Sequence, residues 1–162
     1  MDALQAVQQA RELLENVTPL KRDCGRLCGG ACCAPDDEGN GGMWLFPHEE
    51  ELYLDMPEGF SITKEGERHL LECEGFCDRN TRPLACRIFP LLPVLKEGKI
   101  KVTLDKRGYF VCPLLPHGLS AFDGEFKERI RAVGELLYAH EEHKALLDSI
   151  HQEIAAYQTM AL

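Results

Sequence analysis

The sequence has no long apolar run. Its longest candidate, IFPLLPVL at 88–95, is eight residues long and carries two prolines, far short of the ~20 residues that cross a bilayer as a helix. The opening MDALQAVQQARELLENV has no basic segment followed by an apolar one, so no signal peptide is expected. Positive charge is scarce as well: 18 Lys+Arg face 27 Asp+Glu, a formal net charge of −9. Nucleic-acid backbones and anionic membranes both need clustered cations, so neither is expected as a partner. Catalytic signatures are missing too. There is no glycine-rich phosphate loop, no Gly-x-Ser-x-Gly elbow and no acid or lysine pair in a recognisable setting, so no catalytic residue is assigned. No two cysteines have the Cys-x2-Cys spacing of a thioredoxin-like redox pair. These absences together predict a soluble chain in the reducing cytoplasm, where structural disulfides are rare.

Cysteine, by contrast, is abundant: there are eight in 162 residues. The composition is otherwise globular, with 44% hydrophobic and 28% charged residues. A chain of this length forms one domain, 1–162, and buries roughly 70% of its unfolded surface, so it needs no crosslinks merely to fold. Eight cysteines are too sparse for a small secreted disulfide scaffold and too many for thiols without a task, which makes metal ligation the leading reading.

The cysteines fall as Cys24-x3-Cys28-x3-Cys32-Cys33, then Cys73-x3-Cys77-x8-Cys86, then Cys112. Short spacers bring sulfurs to a shared centre at little cost, with Zn–S bonds of about 2.3 Å. Soft thiolates select zinc, iron–sulfur or Cu(I) over Mg and Ca. Eight of them suffice for two tetrahedral zinc sites, or for one 4Fe–4S cluster with four thiols left over. Spacing leaves these alternatives open. Cys24, Cys28 and Cys32 miss the Cys-x3-Cys-x2-Cys pattern of radical-SAM enzymes by one residue, and the chain is too short for their barrel.

The predicted fold class is α+β and mainly α, with N- and C-terminal helices around a cysteine-rich middle that carries a small β-hairpin. Apolar Leu4, Val7, Leu13, Leu14 and Val17 recur at helical spacing, predicting a helix within 1–19 that ends at Thr18–Pro19. Residues 20–115 form the cysteine region. Its first part holds four cysteines and six glycines over 20–43, a composition that lets backbone turn tightly around a small object. WLFPHEEELYLDM at 44–56 reads as a short strand or turn and then a helix with an acidic first turn. Apolar runs flanking Glu97–Gly98 predict a hairpin, with a second turn at 105–108. Over 118–160, Phe122, Phe126, Ile130, Val133 and Leu137, then Leu147, Ile150, Ile154 and Tyr157, form a helical stripe expected to pack as core.

CGRLCGGACC at 24–33 followed by RPLACRIFP at 82–90 resembles the YkgJ-type cysteine-cluster family, the CxxCxxCC proteins, described as zinc- or iron-chelating domains. Here the first spacers are three residues where the family name implies two. The resemblance covers roughly residues 20–115. It implies metal ligation by Cys24, Cys28, Cys32, Cys33, Cys77, Cys86 and Cys112, and Cys73, four residues before Cys77, joins them. Four thiolates around Zn²⁺ or an oxidised 4Fe–4S core leave about −2 of charge, which Arg82 and Arg87 are expected to offset by donating hydrogen bonds to bound sulfur. Pro83 would stiffen the approach to Cys86, while Lys21, Arg22, Arg26 and Arg79 would moderate repulsion in a thiolate-rich patch. Some larger proteins with a similar cluster, such as flagellin lysine methylases, are enzymes.

HEEH at 140–143 is not HExxH, and with His151 these histidines are expected on a solvated helical face. His48 and His117 are better placed as a fourth ligand, and neither is assigned. Three functions remain open: a non-catalytic holder of zinc or iron, an iron–sulfur protein with a redox or enzymatic role, and a protein-interaction module stabilised by structural zinc. The protein partner is not legible.

Overall fold

The computed structural model describes residues 1–34, 41–75 and 77–160. Helix α1 runs Ala3–Leu13 and starts with a capping box, in which Gln5 N–H donates to Asp2 Oδ1 at 2.8 Å and Asp2 N–H to Gln5 Oε1 at 3.0 Å. It ends a turn earlier than the Thr18–Pro19 signal predicts. The Leu14 N–H is shared between the Arg11 and Glu12 carbonyls, and this tightening drops Leu14 into the core instead of extending the helix. Pro19 then matters elsewhere: its carbonyl accepts the Asp123 N–H at 2.8 Å, just before the helix Gly124–Tyr138.

Helix α4 spans Gly124–Tyr138 and α5 spans Glu141–Met160. Most of the stripe packs as core, with Phe126, Ile130, Val133, Leu137 and Leu147 fully buried; Ile150 is half-buried, and Tyr157, expected in the core, is 44% exposed. Each fully buried side chain contributes about 1.5–3 kcal/mol of transfer free energy. Strands β4 (Leu91–Lys96) and β5 (Lys99–Leu104) form the expected antiparallel hairpin, with Leu91 opposite Leu104 and Lys96 opposite Lys99. Glu97 and Gly98 both take positive φ at its tip (53° and 72°), the geometry a two-residue loop needs to match strand twist. The helix α4 lies on this hairpin so closely that a Cβ on Gly134 would sit 2.6 Å from both Ile100 and Pro93.

A second sheet is not among the expected elements. Strand β1 (Gly41–Trp44) and β2 (Ser61–Glu65) flank β3 (Arg68–Cys73), both antiparallel, with Gly41 opposite Cys73. A small second core of Leu45, Tyr53 and Leu71 lies against it. The fold is thus α+β and mainly helical, with helices near both ends. The helix expected after Pro47 is a 3-10 turn at Glu49–Tyr53, entered through a left-handed His48. No helix among the described residues is long and apolar enough to cross a membrane.

One histidine expectation fails. His143 is fully buried, and its Nε2 pairs with the Ala3 carbonyl at 2.9 Å, tying α5 to the first turn of α1. Leu146 and Leu147 follow His143 at i+3 and i+4, which puts it on the inner face of α5, and its Nδ1 is buried there without a partner. His151 is half-buried and bonds the Pro93 carbonyl at 2.9 Å.

Candidate metal centre

The first cysteine segment is built on two left-handed glycines. Asp23 Oδ1 accepts the Gly25 N–H at 3.0 Å and opens a single helical turn, α2 (Gly25–Cys28). This turn sets Cys24 and Cys28 one above the other, with the Cys28 thiol 3.9 Å from the Cys24 carbonyl. Gly29 (φ 65°) and Gly30 (φ 72°) then reverse the chain into a 3-10 turn, Ala31–Cys33, which returns Cys32 and Cys33 toward the first pair. Any residue with a Cβ would cost about 1–2 kcal/mol at each glycine. Positions 35–40, the remainder of the glycine-rich segment, lie outside the described residues.

The second segment enters from the sheet. Cys73 ends β3, Cys77 follows, and a 3-10 turn at Arg79–Thr81 leads through Pro83 into the short helix α3 (Leu84–Ile88), which carries Cys86. Cys112 arrives from the other side, its N–H bonded to the Gly108 carbonyl at 2.8 Å in the turn after β5.

A carboxylate that sequence reasoning passed over fixes α3. Glu49 is fully buried; its Oε1 accepts the Leu84 N–H at 2.7 Å and Arg11 Nη1 at 3.4 Å, and its Oε2 accepts the Phe46 N–H at 3.1 Å. Burial pushes its pKa up, opposed by these N–H donors and by Arg11. No sequence signal separates Glu49 from its neighbours Glu50 and Glu51, since all three suit the start of a helix. Tyr53 Oη donates to the Thr81 carbonyl at 2.7 Å and secures the same turn.

The two arginines divide their tasks. Arg87 spends its guanidinium on backbone: Nε donates to the Arg82 carbonyl at 2.8 Å, Nη1 to Arg11 at 3.0 Å, and Nη2 to Arg79 and Asn80 at 2.9 and 3.0 Å. It clamps the turn before Cys86 onto the end of α1 and does not reach for a thiol. Arg82 does face the thiols. Burial disfavours its charge, yet hydrogen bonding with Cys77 and attraction to Cys77, Cys33 and Cys86 win, holding its pKa up. Its Nε is buried without a partner. Such an orphan donor is costly unless something accepts from it.

All eight cysteines are free thiols. They line three cavities that share walls. A mostly apolar cavity of about 30 Å³ is bordered by Cys24, Cys28, Cys32 and Cys112. A larger one, of about 320 Å³, is bordered by Cys32, Cys33, Cys73, Cys77, Cys86 and Arg82. A third, of about 220 Å³, touches Cys24, Cys32, Cys86 and Arg82. Among the described residues no group of three or more His, Cys, Asp or Glu side chains is arranged to hold a metal ion as it stands. The thiols ring space rather than meet at a point.

Electrostatics follow the same grouping. Burial raises the Cys24 thiol, and the nearness of Cys28, Asp23 and Cys112 raises it further. Burial also raises Cys86, with Cys33, Cys77 and Glu49 adding to it and Arg82 opposing. The Cys32 and Cys33 sulfurs lie 4.0 Å apart, too far for a disulfide at about 2.05 Å but close enough to share a proton. That contact lowers Cys33 to about 6, against burial and with help from the Arg82 charge. Cys32 is held protonated by the same contact and by burial.

Of the histidines weighed as further ligands, His48 is engaged by Glu51 at 2.9 Å and Glu142 at 2.8 Å, and His117 lies in the exposed turn at Leu115–His117. Neither lines the cysteine cavities. No protein-family model, no curated protein and no solved structure matches this chain.

Proposed function

We propose that the chain is a soft-metal-binding protein of the reducing cytoplasm, whose cysteine thiolates hold zinc or an iron–sulfur cluster, as its resemblance to the YkgJ-type proteins implies. One observation carries this reading: eight free thiols from three separate parts of the chain border adjoining cavities, with the orphaned Arg82 Nε among them. Thiols packed this closely repel one another as thiolates, and a bound cation turns that repulsion into ligation. Thiolate donors suit zinc and iron–sulfur iron, and Arg82 suits the negative charge that four of them leave. The metal, when bound, supplies the crosslink that a glycine-rich loop lacks; side-chain rotation about the cavities is what closes the ligand set.

A redox role is the second reading. Cys32 is exposed, and Leu27 and Val111 beside it are exposed apolar side chains on the rim of the small cavity. A centre this near the surface suits passing electrons or metal to a protein partner.

The test is elemental analysis with acid-labile sulfide and a visible spectrum, on protein purified without air or nickel resin. Stoichiometric zinc, or iron with sulfide, is expected, and Cys86→Ser should lose metal. Folded protein that stays metal-free after anaerobic incubation with zinc and with iron plus sulfide would overturn the proposal, and full retention in Cys86→Ser would overturn the ligand assignment.

A further inference from the structure

The eight thiols do not form one ring. Cys24, Cys28 and Cys112 border only the small cavity and the groove beside it, whereas Cys33, Cys73 and Cys77 border only the large one. Cys32 touches both. The two spaces differ in kind. The small cavity, about 30 Å³, has no charged side chain in its wall; apart from its four cysteines, proline, leucine, valine and phenylalanine enclose it. The large one, about 320 Å³, carries the Arg82 guanidinium and opens against the Gly41–Gly42 backbone.

We infer that the cysteines form two unequal centres divided at the Cys32–Cys33 peptide: Cys24, Cys28, Cys32 and Cys112 hold a single zinc-like ion, and Cys33, Cys73, Cys77 and Cys86 hold a polynuclear iron–sulfur cluster beside Arg82. This rests on the metal-binding reading above and adds number, ligand set and kind. A single tetrahedral ion needs no cavity of its own, because four sulfurs at about 2.3 Å enclose it, and a dry, uncharged wall suits a closed structural site. A cluster needs room for its own iron and sulfide. It also presents sulfide acceptors to a donor such as the partnerless Arg82 Nε, and hydrogen bonds of this kind tune such clusters. In a 4Fe–4S cluster each cysteine binds a different iron, which holds the ligand sulfurs farther apart than the 4.0 Å contact of Cys32 and Cys33, so only one of the two is assigned to it. Arithmetic then places Cys32 with the three thiols that lack a fourth.

The experiment compares wild type, Cys28→Ser and Cys77→Ser, purified anaerobically, for zinc, iron, acid-labile sulfide and visible absorption. Wild type is expected to carry about one zinc and about four iron with four sulfide per chain. Cys28→Ser should lose the zinc and keep the visible absorption; Cys77→Ser should do the reverse. Should either variant fail to fold, wild type alone still decides: ferricyanide should oxidise the cluster sulfide to sulfur and release the iron, while zinc stays bound. Parallel loss of both metals in a folded variant would overturn the division, and two zinc ions without sulfide would overturn the cluster assignment. Wild type that binds neither metal sinks the underlying proposal instead, so the two failures are told apart.

Discussion

Two regions of this molecule are held together by different physics. The outer shell, made of α1, α4, α5 and the β4–β5 hairpin, is a packed apolar core in which Val7, Phe126, Ile130, Leu137 and Leu147 are fully buried. The first cysteine segment, Cys24 to Cys33, has no such core, and of the cysteine-bearing elements α3 alone reaches the apolar core, through Leu84 and Ile88. None of the residues of α2 or of the 3-10 turn at Ala31–Cys33 is buried, and order there comes from left-handed glycines, a buried carboxylate and an arginine clamp. Hydrophobic packing tolerates chemistry at its edges but gives no precise thiol positions. Polar anchors give position at little stability, which leaves room for a bound metal to contribute order. The shell is therefore expected to stand without metal, and the cysteine region to depend on it.

The sharpest way to break that contrast is to damage each region and watch the other. Phe126→Ala removes a fully buried ring from the shell and should cost about 4 kcal/mol in denaturant unfolding. The metal content of the protein that remains folded should not change. A parallel loss of metal at low denaturant would mean that the two regions are one cooperative unit.

Glu49→Ala comes next, because Glu49 joins the regions. It strips two buried N–H groups and Arg11 of their acceptor, for an expected loss of about 3 kcal/mol. Unlike Phe126→Ala, it should also loosen the turn that carries Cys86, seen as faster reaction of Cys86 with a thiol reagent under native conditions. Unchanged Cys86 reactivity would remove Glu49 from its positioning role.

Gly29→Ala acts inside the cysteine region alone. Its φ of 65° predicts about 1 kcal/mol of local strain, with nothing within 4 Å of the added methyl to compound it. Hydrogen exchange should rise over 24–34 and stay flat in α4; a rise in α4 would contradict the separation.

How legible each region was follows the same division. The shell announced itself through period: Phe126, Ile130, Val133 and Leu137 form a 3.6-residue stripe, and Glu97–Gly98 between apolar runs marks a two-residue turn. Even its error is instructive, since α1 ends at Leu13 because a buried Leu14 outweighed the later proline signal. The sheet of β1, β2 and β3 stayed hidden because its strands are short and mostly half-exposed, with Gly41–Gly42 in one and charges in the others. At the site, spacing singled out all eight cysteines and Arg82, which the structure gathers around shared cavities. It could not tell Arg82 from Arg87, whose guanidinium turned to backbone carbonyls, nor Glu49 from Glu50 and Glu51. Those roles depend on which chain segment packs opposite, and no local pattern records that.

The smallest expected effect concerns a tie between α5 and the turn that carries Glu49. Hydrogen bonding to Glu51 raises the His48 pKa despite burial, with Glu142 on α5 contributing as well. A raised histidine pKa stabilises the fold fully below the unfolded value of about 6.5, and that contribution disappears as pH rises through the folded value. His48 is 40% exposed, so water screens both pairs and the gain should be about 0.3 kcal/mol. Burial lowers His143, which has the opposite sign: its neutral form fits the core, so stability declines as pH falls below about 6.5 toward its folded value. His48→Gln should therefore cost stability at pH 5.5 and nothing at pH 8.5, while His143→Gln should flatten the acid decline. Equal losses at both pH values in His48→Gln would mean that the contact holds α5 by shape rather than by charge.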